Sequence, residues 1–356
     1  LIFRNNNLYW SGLEIACIIE ENNKIIEYGL KPEHRIKYCR IVRRKINSRN
    51  RFYLQLILEG KPYQNPDNKI GFEEIGLDVG PSTIAIVGDT KAELKQFCSD
   101  LVPKQKEKRK LQRKMDRQRQ ANNPQNFNTN GTIKKGKKKW KKSNHYKKTS
   151  SNAAELDRKL AAHRKSLHGK DINEIMAMGT RIKTEKIPYK SWQKNFGKSV
   201  MVRAPSMFIS GLKRKAENAG GSFNDFPTHT TKLSQVCHIC GNTVKKPLSH
   251  RWHICCGIEM QRDLYSAFLS KCVNVNTGSL DIARARMLWP GLEPVLSAAI
   301  SRVIQSANGW NCPASFGLEY RRQSGSPVKP EATVTEAVDA VIRDQIYEDE
   351  SHREVI

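Results

Sequence analysis

The sequence predicts an α/β core assembled from separated segments of the chain, with a small cysteine-rich module inserted in it and a partial antiparallel β domain ahead of it. Three observations point there. An apolar strand, a tight turn and a second apolar strand surround Asp78; two cysteine knuckles lie between residues 237 and 256; and short apolar stretches of period two fill the first 70 residues.

With 356 residues, 38% of them hydrophobic, the chain has material for two or three domains with real cores. Its formal net charge of +27 exceeds what solubility needs and selects polyanions, whose phosphates are neutralised with release of counterions. No run of about 18 apolar residues appears, nor any charged-then-apolar leader, which argues against a membrane and for a cytoplasmic, nucleoid-associated protein. Of the nine cysteines, Cys17, Cys39, Cys98, Cys272 and Cys312 are scattered and read as small buried hydrophobes, while four cluster as a metal site in a reducing compartment would. The chain opens on Leu1 amid strand-like sequence, so a preceding N-terminal segment is expected.

In the first 70 residues, strands are expected at 8–10, 15–19, 25–28, 37–42 and 51–58. Arg40, Arg43, Arg44 and Lys45 form either a phosphate grip or a solvated face. Residues 72–87 give the strand, turn and strand with Asp78 at its centre. Lys104 to Lys148 then holds eighteen Lys/Arg against two acids, helical before Gln120 and loop-like from Asn122 to Gly136. Such density favours nucleic-acid contact over a solvated run, with Lys108, Arg109, Lys110, Arg113, Lys114 and Arg117 on the helix as candidates. Lys137, Lys138, Lys139, Trp140, Lys141 and Lys142 are the candidates on the loop. Residues 152–168 continue as a basic helix, followed by a polar gap to 180. A helix over 205–218 stops at Gly220-Gly221. After 273 no chemistry is evident, and from Glu331 the tail turns acidic, a peripheral helix or a partly disordered segment.

Cys237-His-Ile-Cys240-Gly241 is a C-x-x-C knuckle, and His253-Ile-Cys255-Cys256-Gly257 is a compressed second one. Two knuckles supply the tetrahedral soft donors that a structural Zn²⁺ requires. Because neighbouring thiolates rarely share a metal comfortably, the preferred ligands are Cys237, Cys240, His253 and Cys256, with Cys255 as the alternative to His253. A knuckle that has lost its metal is the other reading.

The acids come from distant points. Asp78 sits within an apolar strand, where an uncompensated charge is costly, unless it serves a hairpin turn instead. Asp263 opens a helix, as a metal ligand or as a cap. Glu185 closes a short alternating stretch, where a surface glutamate is the plain alternative. Nucleases of the RNase H type bring three or four such acids together around two divalent ions about 4 Å apart, and oxygen ligands favour Mg²⁺ or Mn²⁺.

Gly-Leu-Asp78-Val-Gly, Glu185, the helix ending at Gly220-Gly221, the Cys237–Cys240 knuckle and Gln261-Arg262-Asp263, in that order, resemble the TnpB family, transposon-encoded relatives of the type V CRISPR effectors often labelled transposases. The resemblance implies an α/β RNase H-like (RuvC) nuclease core with an inserted zinc-ribbon-like module, preceded by a partial antiparallel β-barrel. It divides the chain into the barrel (1–70), RuvC segments at 71–100, 180–232 and 261–290, a basic insertion (101–179), the zinc module (233–260) and a C-terminal extension (291–356). Asp78, Glu185 and Asp263 become its catalytic, Mg²⁺-holding acids. It further implies RNA-guided cleavage of target DNA, with the guide RNA supplying sequence by base pairing. A catalytically inactive RNA- or DNA-binding relative and a transposase accessory protein are the alternatives.

Overall fold

A computed structural model describes residues 1–47, 49–306, 313–320 and 327–328; Cys312 and the acidic tail lie outside them. Two compact units divide the chain, Leu1–Asn68 with Asp100–Leu167, and Lys69–Ser99 with the chain from His168 on.

In the first unit, strands β1 (Ile2–Arg4), β2 (Asn7–Trp10) and β3 (Leu13–Ala16) form an antiparallel meander. Two-residue turns at Asn5-Asn6 and Ser11-Gly12, all at positive φ, join them as the twist of a hairpin demands. The stretch 25–28, expected as a strand, is instead helix α1 (Lys24–Gly29). The Asn23 side chain accepts from the amides of Ile25 and Ile26, and this cap decides a short apolar run that period alone leaves open. Strands β4 (Ile36–Ile46) and β5 (Arg49–Leu58) pair as a long hairpin, separate from the meander, so the described residues of this unit form two sheets and no closed barrel.

The basic segment begins with helix α2 (Gln105–Asn122), none of whose residues is buried. The loop after it is tied down by two buried asparagines. Asn123 donates to the carbonyls of Arg119 (2.8 Å) and Lys141 (3.0 Å) and accepts from the Lys141 amide, while Asn126 donates to the Lys139 carbonyl (2.8 Å). Helix α3 (Asn144–Met178) then runs on for 35 residues, leaving the first unit at Leu167 and continuing in the second. The expected polar gap before 180 is thus helical, because Ile172, Ile175 and Met176 bury one face despite their polar neighbours.

The second unit is built on a five-stranded mixed sheet of β6 (Glu74–Val79), β7 (Thr83–Val87), β8 (Ala92–Gln96), β9 (Arg181–Glu185) and β10 (Ser222–Phe226), in the order β10-β9-β6-β7-β8. The first three strands form an antiparallel meander, and β9 and β10 run parallel to β6. Helices α4 (Tyr189–Arg203) and α5 (Pro205–Asn218) connect β9 to β10, with α5 spanning the predicted 205–218. After the short α6 (Thr228–Thr231) comes the cysteine module, which closes on the hairpin β11 (Trp252–Cys255) and β12 (Ile258–Gln261). Helix α7 (Arg262–Lys271) follows at once, and α8 (Ile282–Ser306) continues through the segment boundary expected at 290, carrying Pro290 and Pro294 inside it.

All ten residues of α7 are buried, and the helix packs on β6, β7 and β9. The sheet admits it so closely because residue 76 is glycine: a Cβ there would run into the Ala267 carbonyl. Beneath the helix, the buried Lys183 donates to the Lys271 and Val273 carbonyls (3.1 and 2.7 Å) and pairs with Glu74 at 2.9 Å. Glu74 also meets Arg284 of α8 at 2.9 Å, and Lys271 pairs with Asp89. These cations are therefore buried with partners, as burial of charge demands. Among the described residues no helix is long and apolar enough to cross a membrane.

Gly76→Ala is expected to lower unfolding free energy by about 1–3 kcal/mol through overpacking. Gly169→Ala, inside α3 with open space around its Cβ position, is expected to raise it by about 1 kcal/mol. Urea denaturation of the two variants checks the contrast.

Candidate active site and metal centre

The sheet and α7 bring the three sequence-predicted acids toward one place. Leu77 of β6 pairs with Thr184 of the parallel β9, so Asp78 and Glu185 follow side by side at the carboxyl ends of neighbouring strands. Asp78 pairs with Ala85 and stays within β6; the tight turn comes after it, where the Gly80 amide donates to the Thr83 carbonyl (2.8 Å). The hairpin-turn alternative for Asp78 falls. Asp263, the second residue of α7, is buried, and its Oδ2 accepts from Thr83 Oγ1 at 3.5 Å. The cap alternative falls too, since Gln261 caps α7 by accepting from the Leu264 amide (2.8 Å). Glu185 is no surface residue: its Oε1 accepts from Thr231 Oγ1 (2.7 Å) and the Leu233 amide (3.2 Å).

Burial pushes the Asp78 carboxyl well above the usual carboxylate range, the charges of Asp263 and Glu185 push it further, and Arg262 and Arg251 oppose them. Burial also raises Glu185, against its hydrogen bonds from Thr231 and Leu233. Carboxylates that raise one another in this way can take up a proton or a cation. They are set more widely than the cysteines, which among the described residues form the group of potential ligands with every donor atom within 4.8 Å of the others.

That group is Cys237, Cys240, Cys255 and Cys256, and it corrects the preferred ligand set by replacing His253 with Cys255. The neighbouring thiols are compatible because the β11–β12 turn places Cys256 at φ 51° and Gly257 at φ 77°, a backbone that aims both sulfurs inward. Cys255 Sγ lies 3.6 Å from Cys256 Sγ and 3.7 Å from Cys240 Sγ. A tetrahedron with Zn–S of about 2.3 Å has edges of about 3.8 Å, so the donor set fits Zn²⁺. Hydrogen bonding among the thiols drives Cys255 up to about 12, while a backbone hydrogen bond from Asn242, followed by those of the other thiols, lets Cys240 fall to about 7, a division that a shared cation would cancel. In the first knuckle the Gly241 amide returns to the Cys237 carbonyl (2.8 Å), with Gly241 at φ 73°.

His253 faces inward instead. Its ring stacks on Tyr265 of α7 at 4.0 Å and its Nδ1 meets Lys246 Nζ at 2.7 Å. On the other side, the Tyr265 hydroxyl meets His238 Nδ1 at 2.7 Å and accepts from the His238 amide at 3.1 Å. Burial, aided by Arg286 for His238 and by Lys246 for His253, holds both imidazoles down to about 4, hence neutral. Tyr265 thus clamps the cysteine module to the helix that carries Asp263, two positions away. Sequence reasoning missed Tyr265, Thr83, Thr231 and Arg251; the Tyr265–Asp263 spacing was a visible signal.

Within the first unit, most of the basic candidates are exposed: Arg109, Lys110, Arg113, Lys114 and Arg117 on α2, and Lys137, Lys139, Lys141 and Lys142 on the loop. Lys138 is half-buried and turns back to the Lys135 carbonyl (2.5 Å). Two more are engaged internally. Lys108 pairs with Asp157 at 2.7 Å, and Trp140 packs edge-on against Phe127 (5.8 Å) beneath Arg119 (5.2 Å), so its ring fastens the loop.

Metal analysis distinguishes the ligand sets: Cys255→Ser is expected to lose zinc, whereas His253→Ala keeps it and unfolds at lower temperature. Zinc loss in the histidine variant with retention in the serine variant would restore His253 as a ligand.

Residues 206–269 match the family model of the Cas12f1-like TNB domain, a span that takes in the four cysteines, Tyr265 and Asp263. Among solved structures, the cryo-EM structure of the Cas12f1–sgRNA–target DNA complex is similar at a TM-score of 0.42 and 13% identity, over 69% of this chain and 47% of that one. The chain thus spans about half the length of that protein. No curated protein matches. The similarity of residues 206–269 to the Cas12f1-like TNB domain supports the reading of the chain as a TnpB-like family member.

Proposed function

We propose that this chain is an RNA-guided DNA endonuclease with an RNase H-like, RuvC-type core, working with Mg²⁺ or Mn²⁺ held by Asp78, Glu185 and Asp263. The observation that carries the reading is the convergence of the neighbouring strand ends at Asp78 and Glu185 with the buried Asp263; the charges of Glu185 and Asp263 both oppose the ionisation of Asp78, an arrangement that is costly without a cation. Hard oxygen donors suit Mg²⁺ or Mn²⁺, and ions there would activate water and stabilise the leaving oxygen of a phosphodiester.

The chain's own groups prepare this site. Gln261 takes over the capping of α7 and leaves the Asp263 carboxylate available. Thr231 and the Leu233 amide orient Glu185, and Thr83 steadies Asp263. Cys237, Cys240, Cys255 and Cys256 would hold Zn²⁺ with every position filled by protein thiolate, leaving no open position for a reacting water, so that metal is structural. A guide RNA and a target DNA as partners come with the TnpB-like resemblance, and the net charge of +27 supplies affinity for both backbones. Its place of action would be the cytoplasm, on the DNA of the nucleoid.

The test is cleavage by full-length protein with its co-purifying RNA. Cutting is expected only with Mg²⁺ or Mn²⁺, and Asp78→Ala is expected to cut at background level while binding DNA as before. Cutting at an unchanged rate in that variant would sink the assignment. Sequencing the co-purified nucleic acid is expected to return RNA of defined ends.

A further inference from the structure

Arg262 opens α7 beside Asp263 and is only 7% exposed. Its Nε lies 3.8 Å from Asp263 Oδ1, and its Nη1 donates to the Pro247 carbonyl in the cysteine module at 3.1 Å. The Arg262 amide is bonded to the Arg251 carbonyl at 2.8 Å, so the backbone on which it stands is also fixed. A guanidinium cannot neutralise itself by losing its proton as a lysine would, and this one is buried against the acids. Its carboxylate neighbours are those that would hold the divalent ion.

We propose that Arg262 is a positioning residue of the acid cluster, an internal cation that holds Asp263 in place and weakens the field a divalent ion meets there. The inference rests on the acid-site reading above. Three carboxylates crowded without a counter-charge would repel one another and turn away or bind protons while no metal is present. A fixed guanidinium counters this repulsion without cancelling it, and it opposes the incoming ion through like-charge repulsion. The carbonyl of Pro247 sets the guanidinium's orientation, so the cysteine module acts on the acids through Arg262. The charge of Arg262 reaches Asp78 as well as Asp263.

The proposal has a signature that a purely structural arginine would not give. Mn²⁺ binding to the full chain, read by isothermal titration calorimetry, is expected to tighten about tenfold in Arg262→Gln, because a repelling charge is gone, while DNA cutting slows. Arg262→Lys retains the charge and is expected to bind Mn²⁺ within about twofold of the unmodified protein. Weaker or unchanged Mn²⁺ binding in Arg262→Gln overturns the proposal. Should that variant fail to fold, a large change of affinity in Arg262→Lys overturns it. Asp78→Asn keeps the two ideas apart: it is expected to remove the Mn²⁺ site, and if binding survives, the acid-site reading itself fails, whatever Arg262 does.

Discussion

The close seating of α7 on the sheet is the constraint from which the rest of the second unit follows. A helix buried on every side must lie against backbone, and Gly76 provides the surface for it. With the helix seated there, its amino-terminal end comes to the strand ends that bear Asp78 and Glu185. The same seating forces Lys183 and Lys271 into the interior, where Glu74, Asp89 and main-chain carbonyls receive them. Dispersion and hydrophobic burial hold the helix, and the ion pairs keep the polar side chains beneath it from undoing that gain.

The cysteine module is attached to the same helix by aromatic and hydrogen-bonding contacts. Tyr265 lies between two neutral imidazoles, one stacked on its ring and one at its hydroxyl, and the ring of His238 also lies 4.9 Å from that of Trp289 in α8. The module therefore has mechanical purchase on the first turn of α7. The two donor sets, soft sulfur in the module and hard oxygen at the strand ends, differ in the ions they suit and are joined by this short stretch of helix.

Much of this arrangement was legible in the sequence, and particular residues show where legibility ended. Two apolar runs about a tight turn sufficed for β6 and β7, and helical spacing with a Gly-Gly stop for α5. Strand β10, Ser-Phe-Asn-Asp-Phe, is too polar to announce itself, and it is paired only because β9 lies beside it. Helix α3 continues through Gly169 because its apolar residues meet the core, a tertiary effect beyond local propensity. The second knuckle was misjudged for a backbone reason: spacing cannot reveal that a left-handed Cys256 brings two adjacent sulfurs to one side. His253 looked like a ligand by type and spacing, yet its ring belongs to Tyr265.

The two buried asparagines of the basic loop have a consequence for recognition. Flexible lysine-rich segments lose conformational entropy when they settle on a polyanion, and that loss subtracts from every phosphate contact they make. Here Asn123 and Asn126 already bind the main chain at Lys139 and Lys141, and Trp140 anchors the stretch between them. The ordering has been done during folding. The exposed ammonium groups around it face solvent from a fixed backbone, as a rigid template more than a loose brush, so their spacing is set before any polyanion meets them.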